Sequence, residues 1–199
     1  MNEQNGKNKT IITISRQYGS GGRFIGEQLA SALGIPFYDH ELIKKAAKAS
    51  GYAEETFENA EQSATSSLLY SLSLMGELPL QDQVYIVQTK IIKEIAEQGS
   101  CVIVGRCGDY ALRDFENATH IYIYSDLDIR AKRVAEFYSC QAKNVLDFVK
   151  KIDKKRSAYY NYYTGQKWGK VSNYELCIDS SKIGIEGAVN VIKEFVKYK

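Results

Sequence analysis

The 199-residue sequence has four cysteines but no C-x-x-C pair, and only His40 and His120 to add imidazole to a metal site, so neither a zinc site nor a disulfide framework is expected. Cys101 and Cys177 begin or occupy apolar, strand-like runs, where a reduced thiol acts as a small buried hydrophobe. Cys107 follows Arg106, but no base partner is visible, so a nucleophilic cysteine is not expected. No apolar stretch is long enough to cross a membrane, and the opening MNEQNGKNKT lacks the apolar segment of a secretory signal. The expected compartment is therefore the cytoplasm. No internal repeat or long linker interrupts the chain. At 44% hydrophobic and 25% charged residues it reads as one ordinary globular domain spanning 1–199.

One further absence matters more. Residues 11–26, IITISRQYGSGGRFIG, read as a strand, a tight loop and a helix, with Gly19, Gly21 and Gly22 inside the loop. A loop with little Cβ bulk can turn its N–H groups around a phosphate, and the positive end of the following helix adds to the attraction. Yet the loop does not match G-x-x-x-x-G-K-[ST]. With Gly21 set on the second glycine, Arg16 falls at the first, Gly22 at the lysine and Arg23 at the hydroxyl residue. Arg23, one residue late, is the candidate for the missing charge, and Ser20 or Ser15 for the missing hydroxyl.

The positive charge is concentrated. Between Arg130 and Lys170 stand 11 Lys and Arg against 3 acidic residues, whereas the rest of the chain carries 15 against 21. A field gathered on one segment suits a polyanion such as a nucleoside triphosphate. Nucleic acid drawn to the same segment and its tyrosines is the weaker reading.

Along the chain, Ile25, Leu29 and Leu33 recur at helical spacing, with Gly34 as the stop. PFYD at 36–39 reads as a second strand ending in Asp39, which either caps the helix that follows or contacts a ligand. That helix holds Leu42, Ile43, Ala46 and Ala47 and stops at Gly51. Residues 52–78 read as short mobile helices that could cover a second substrate. Val84, Val87, Ile91, Ile92 and Ile95 predict a helix over 80–98. CVIV at 101–104 is apolar throughout, as in the interior of a parallel sheet. HIYIYS at 120–125 is the next strand, and Ser125 with Asp128 forms a capping-box pattern opening a helix. A further helical pattern from Val145 leads through Lys154, Lys155 and Arg156 to AYYNYYTGQKWG, whose Tyr159, Tyr160, Tyr162, Tyr163 and Trp168 read as packing rather than a base-stacking platform. ELCID and a helix carrying Ile185, Ala188, Val189 and Ile192 close the chain. Strands alternating with helices predict an α/β fold with a parallel, five-stranded sheet. Ligands bind such sheets beyond the strands' carboxyl ends. Asp39, Arg106 and the glycine loop all follow strand ends, so one crevice can hold all three.

The segments ISRQYGSGGRFIG, IPFYDHELI, CVIVGRCGDYAL, DIRAKRV, IDKKRSAYYNYYTGQKWG and NYELCIDSSKIGIE resemble, in order over nearly the whole chain, the cytidylate kinase-like family of P-loop proteins. The resemblance implies a P-loop NTPase-like three-layer sandwich with helices on both sheet faces. It also implies an acceptor-side helical insertion at about 40–98 and a basic helical lid at about 130–170. Cytidylate kinases transfer the γ-phosphoryl group of ATP to CMP, so ATP and Mg²⁺ are the implied cofactors and a small nucleotide the implied partner. By local motif, Asp39 matches the acidic residue after the second strand and Arg106 the arginine of a GRD segment. Arg130, Arg133 and Arg156 match lid or adenine-side arginines. Two departures stand out: GSGK has become GSGG, and Cys107 replaces the GRD aspartate, with Asp109 two residues on.

On this basis the N–H groups of Gly19, Ser20, Gly21, Gly22 and Arg23 are expected around the β- and γ-phosphates, with Arg23 in the lysine's role. Asp39 would orient the acceptor or a Mg²⁺-bound water, and Arg106 would clamp the acceptor's phosphate. Arg130, Arg133, Lys155 and Arg156 would close over the triphosphate. The alternative is a nucleotide-binding or sensing module without turnover.

Overall fold

The computed structural model describes residues 9–43, 79–138, 140 and 142–199. The helix ending at Gly51, the mobile cover at 52–78 and the polar lead-in before residue 9 therefore lie largely or wholly outside the described residues.

Five strands make one parallel sheet in the order β2-β3-β1-β4-β5: β1 Ile11–Arg16, β2 Phe37–Tyr38, β3 Cys101–Val104, β4 Ala118–Tyr124 and β5 Leu176–Asp179. The β-branched run predicts β1 only as far as Ile14. The strand continues to Arg16 because its partner β4 is long enough to pair Arg16 with Ile123. Alternation along β1 divides the core. Ile12 and Ile14 face Ile25, Leu29 and Ala30 of α1 (Gly22–Leu33) and Ala188, Val189 and Ile192 of the C-terminal helix. Ile11 and Ile103 face Ile91, Ile92 and Ile95 of α2 (Leu80–Gln98) and Ala111 of the short α3 (Gly108–Ala111). Helices thus cover both faces, completing the three layers. Each isoleucine enclosed this way contributes about 2 kcal/mol relative to an exposed one.

Three further α-helices stand among the described residues: α4 (Leu127–Phe137), α5 (Val145–Thr164) and α6 (Ser180–Phe195). The capping box expected at Ser125 and Asp128 is absent. Asp126 is the N-cap residue of α4 and makes no side-chain cap bond, because the Ser125 backbone belongs to the strand exit and its N–H is taken by Gln17 Oε1 at 3.0 Å. Helix α5 is one uninterrupted element of 20 residues, capped by Asn144, whose Oδ1 accepts from the Asp147 N–H, and ended by Gly165 at φ 66°. Asp153, Arg156, Tyr160 and Tyr163, spaced three, four and three apart, lie along one face of α5. That face docks on the strand ends. Asp153 Oδ1 accepts from the Tyr18 N–H at 2.7 Å, Arg156 donates to the Arg16 carbonyl at 3.2 Å, and the Tyr160 hydroxyl donates to Asp109 at 2.6 Å. Tyr163 donates to Asp82 of α2 at 2.8 Å and stacks on Tyr85 at 4.2 Å, so this tyrosine is packing, whereas Tyr162 is exposed.

Candidate active site

The site lies beyond the carboxyl ends of β1 and β3. After Arg16 the chain turns through Gly19 (φ 77°) and Gly21 (φ 81°), conformations that favour glycine. The Ser20 N–H and hydroxyl both bond back to the Gln17 carbonyl. Among the described residues no backbone acceptor meets the N–H groups of Gly21, Gly22 and Arg23, the three that open α1. Donors left without backbone acceptors at a helix start are what an anion requires.

The second wall is the loop after β3. Gly105, Arg106 and Cys107 have successive φ values of 82°, 57° and 53°. Two consecutive non-glycine residues in the left-handed region cost about 1 kcal/mol or more each, a strain that marks a site where side-chain direction matters. Cys107 is buried, and burial first, then Asp109, pushes its thiol up to about 12. It is a space-filling thiol and not a nucleophile. Asp109, displaced from the GRD pattern, is buried beneath the site. Burial pushes its carboxyl up, while Tyr160 and Ser15 (3.3 Å) donate to it and are themselves held in place.

Between these loops and α5 lies a cavity of about 300 Å³ whose wall includes Arg16, Arg106, Lys155 and Arg156, together with Ser15 and His40. Tyr159, Tyr160 and Trp168 form its aromatic side. Burial, then the nearby Arg156 and Arg106 charges, draws Arg16 down to about 9, so at neutral pH it remains a cation facing two others. Burial likewise lowers Arg156, with Asp153 opposing. The structure therefore brings together Arg106, Arg156 and Lys155 from the sequence expectation and adds Arg16, which the sequence presents only as a departure from the glycine consensus.

The remaining expected residues have other partners. Arg23, half exposed, bonds Asp39 through Nε at 3.0 Å and Glu27 through Nη1 at 3.2 Å. Asp39 also accepts from the N–H groups of Glu41 and Leu42, so it caps the helical turn beginning at His40 while pairing with Arg23. Burial opposes its ionisation, but these bonds outweigh it and hold the carboxyl below the ordinary range. Arg130 is buried, donates to the carbonyls of Ser125 and Tyr18, and pairs with Asp153. Arg133 donates to the carbonyls of Ser20 and Ser180 and to the Ser180 hydroxyl, tying the glycine loop to the start of α6.

A separate apolar cleft of about 210 Å³ is lined by Phe24, Phe137, Tyr138 and Ile185, with Gly19 and Gly21 of the glycine loop at its edge. The loop is thus flanked by a cationic cavity and an apolar one. Among the described residues no group of three carboxylate, thiolate or imidazole side chains could hold a metal by itself.

A parallel sheet with this loop and cavity defines a P-loop kinase fold, and the sequence comparisons agree. The model of the cytidylate kinase-like family matches residues 11–182, and the chain belongs to that family. It is 24% identical over 194 residues to a cytidylate kinase of Pyrococcus horikoshii, covering 96% of this chain and 91% of that one. It is 28% identical over 167 residues to a shikimate kinase of Bartonella quintana, covering 76% and 67% of the two chains. Among solved structures, an uncharacterized protein from Eubacterium ventriosum superposes with a TM-score of 0.75 at 31% identity, covering 96% of this chain and all of that one. Shikimate kinase from Bacteroides thetaiotaomicron shares the fold with a TM-score of 0.59 at 14% identity, covering 94% and 98%.

Proposed function

We propose that this protein transfers the γ-phosphoryl group of ATP to a nucleoside monophosphate, CMP or a close analogue, or to a related small phosphorylated acceptor. The observation that carries the reading is the pair of unlike cavities flanking one glycine loop. A base fits the apolar, aromatic cleft, the triphosphate chain crosses the loop's free N–H groups, and the acceptor's phosphate meets the arginines. Family membership supports phosphoryl transfer, and the cytidylate kinase relative supports a monophosphate acceptor.

In this reading an oxygen of the acceptor's phosphate forms a bond to the γ-phosphorus. The bond from that phosphorus to the β–γ bridging oxygen breaks, and ADP leaves with the electron pair. A dianionic acceptor has no proton to lose, so the chain's task is alignment and neutralisation of charge. Arg106, held by the strained loop, and Arg156 clamp the acceptor. Lys155 adds charge at the cavity wall, while Arg130 and Arg133 keep the loop in shape through its carbonyls. Mg²⁺ takes most of its ligands from phosphates and water. Ser15 in the cavity wall and Asp39, next to His40 of that wall, would be the chain's candidate oxygens for it, and the ion would supply neutralisation of phosphate charge. A protein that only senses nucleotide would keep the apolar cleft and lose transfer.

The test is ADP formation from ATP and Mg²⁺ with CMP, dCMP, UMP, AMP, GMP and shikimate offered singly. The expected result is stimulation by a pyrimidine monophosphate, with its diphosphate appearing in equal amount. Stabilisation by ATP with no stimulation from any acceptor would overturn the kinase reading in favour of the sensor. Stimulation by shikimate alone would overturn the acceptor class.

A further inference from the structure

In the phosphate-loop consensus the first position is glycine and the position opening the helix is lysine. Here those two positions hold Arg16 and Gly22, and the two residues stand against each other. A Cβ on Gly22 would lie 2.6 Å from Arg16 Cβ and 3.0 Å from its Cγ, so the stem of Arg16 fills the space a side chain at 22 would need. The head of the same side chain lies over Gly105, where a Cβ would come within 2.9 Å of Cζ. Gly22 and Gly105 are two sides of a slot built around Arg16.

That slot leads into the cationic cavity, where Arg16 meets Arg156 and Arg106, with Asp39 a smaller opposing charge. Among the described residues no hydrogen-bond acceptor or carboxylate pairs with the Arg16 guanidinium, whereas Arg23 is engaged with Asp39 and Glu27. Buried like charges repel until an anion enters between them. We infer, within the kinase reading on which this rests, that Arg16 has taken over the task of the missing loop lysine and is the catalytic residue that contacts the transferred phosphate. The cation has moved from the first turn of the helix to the end of β1, and a planar two-pronged donor replaces a point charge.

The experiment uses sodium tripolyphosphate, which carries the triphosphate charge without base or sugar, with thermal unfolding of the full chain as readout. Wild type is expected to be stabilised. Arg16→Met should weaken tripolyphosphate binding by about 10- to 100-fold, the range for losing a charged hydrogen-bond donor. Its ligand-free melting temperature should equal or exceed that of wild type, because a buried like charge is gone. Arg113→Met, which removes an exposed charge paired with Asp114, should bind tripolyphosphate within about twofold of wild type. The exchange variant, Arg16→Gly with Gly22→Lys, should regain binding that Arg16→Gly alone has lost. Unchanged binding by Arg16→Met, or a lower ligand-free melting temperature, would overturn the inference, as would a wild type that does not bind tripolyphosphate. If wild type and Arg16→Met form ADP equally well with a monophosphate acceptor, the inference falls while the kinase reading stands. If tripolyphosphate binding depends on Arg16 and no acceptor yields ADP, the kinase reading falls and the phosphate contact stands.

Discussion

Two sets of arginines adjoin the same glycine loop in opposite surroundings. Arg130 and Arg133 are matched by protein oxygens: carbonyls of Tyr18, Ser20, Ser125 and Ser180, and the Asp153 carboxylate. Arg16, Arg106 and Arg156 instead gather around a cavity with one another as prominent charged neighbours. Residue type and proximity to the loop do not separate the two sets; lining the cavity does, for Arg156 keeps a bond to the Arg16 carbonyl and has Asp153 nearby yet stands in the cavity wall with Arg16 and Arg106. Where the protein supplies the acceptors, an arginine holds the backbone. Where three arginines line one cavity, a ligand's oxygens are expected to supply further acceptors.

The largest expected effect falls on the ligand-facing set. Arg106→Ala should lower kcat/KM for phosphoryl transfer by about 10²- to 10³-fold, as for other donors to developing charge. Its urea midpoint should be no more than slightly lowered, and a variant that loses stability with activity unchanged would move Arg106 into the structural set. Arg130→Met should do the reverse. It removes the buried cation paired with Asp153, which keeps only the Tyr18 N–H and the nearby Arg156, and urea denaturation should report about 3 kcal/mol of lost stability.

Smaller effects separate the two cavities. Ile185→Ala trims the apolar cleft and should weaken ATP binding by roughly fivefold, about 1 kcal/mol, while leaving tripolyphosphate binding unchanged. Equal loss for both ligands would remove the cleft from base recognition. Asp39→Asn should cost about 0.5 kcal/mol at neutral pH, through the lost ion pair with the half-exposed Arg23, since the asparagine oxygen still accepts from the Glu41 and Leu42 N–H groups. Because the folded Asp39 carboxyl is held below its ordinary range, this contribution is complete above about pH 4 and disappears as pH falls through the folded value. The stability difference between wild type and Asp39→Asn, measured across acid pH, should shrink accordingly.

Much of the architecture is legible locally. CVIV and the run closed by Gly34 are elements whose period, caps and burial agree, and the structure gives the same boundaries. Arg106 follows a strand end, as the expected crevice requires, whereas Lys155 and Arg156 reach the same cavity from the middle of α5, and Asp39 does not line it. Less legible are features decided by partners distant in sequence. Arg16 reads in the sequence only as a departure from the loop's first glycine, and only Gly22 and Gly105, the latter 89 positions away, reveal the slot. The pairing of Arg23 with Asp39 depends on β2 ending beside α1. The unbroken length of α5 is set by the docking of Asp153, Arg156 and Tyr160, which a lysine-rich and then tyrosine-rich composition does not announce. The capping box at Ser125 failed because β4 keeps that residue in the strand's exit.

The central claim is that the cavity between Arg16, Arg106 and Arg156 is a phosphate site. Calorimetric titration of the protein with CMP and with cytidine tests it most directly, since the two ligands differ only in the phosphate. The account predicts that CMP binds at least about 100-fold more tightly and that the advantage shrinks as salt is raised. Equal affinities for CMP and cytidine would contradict it.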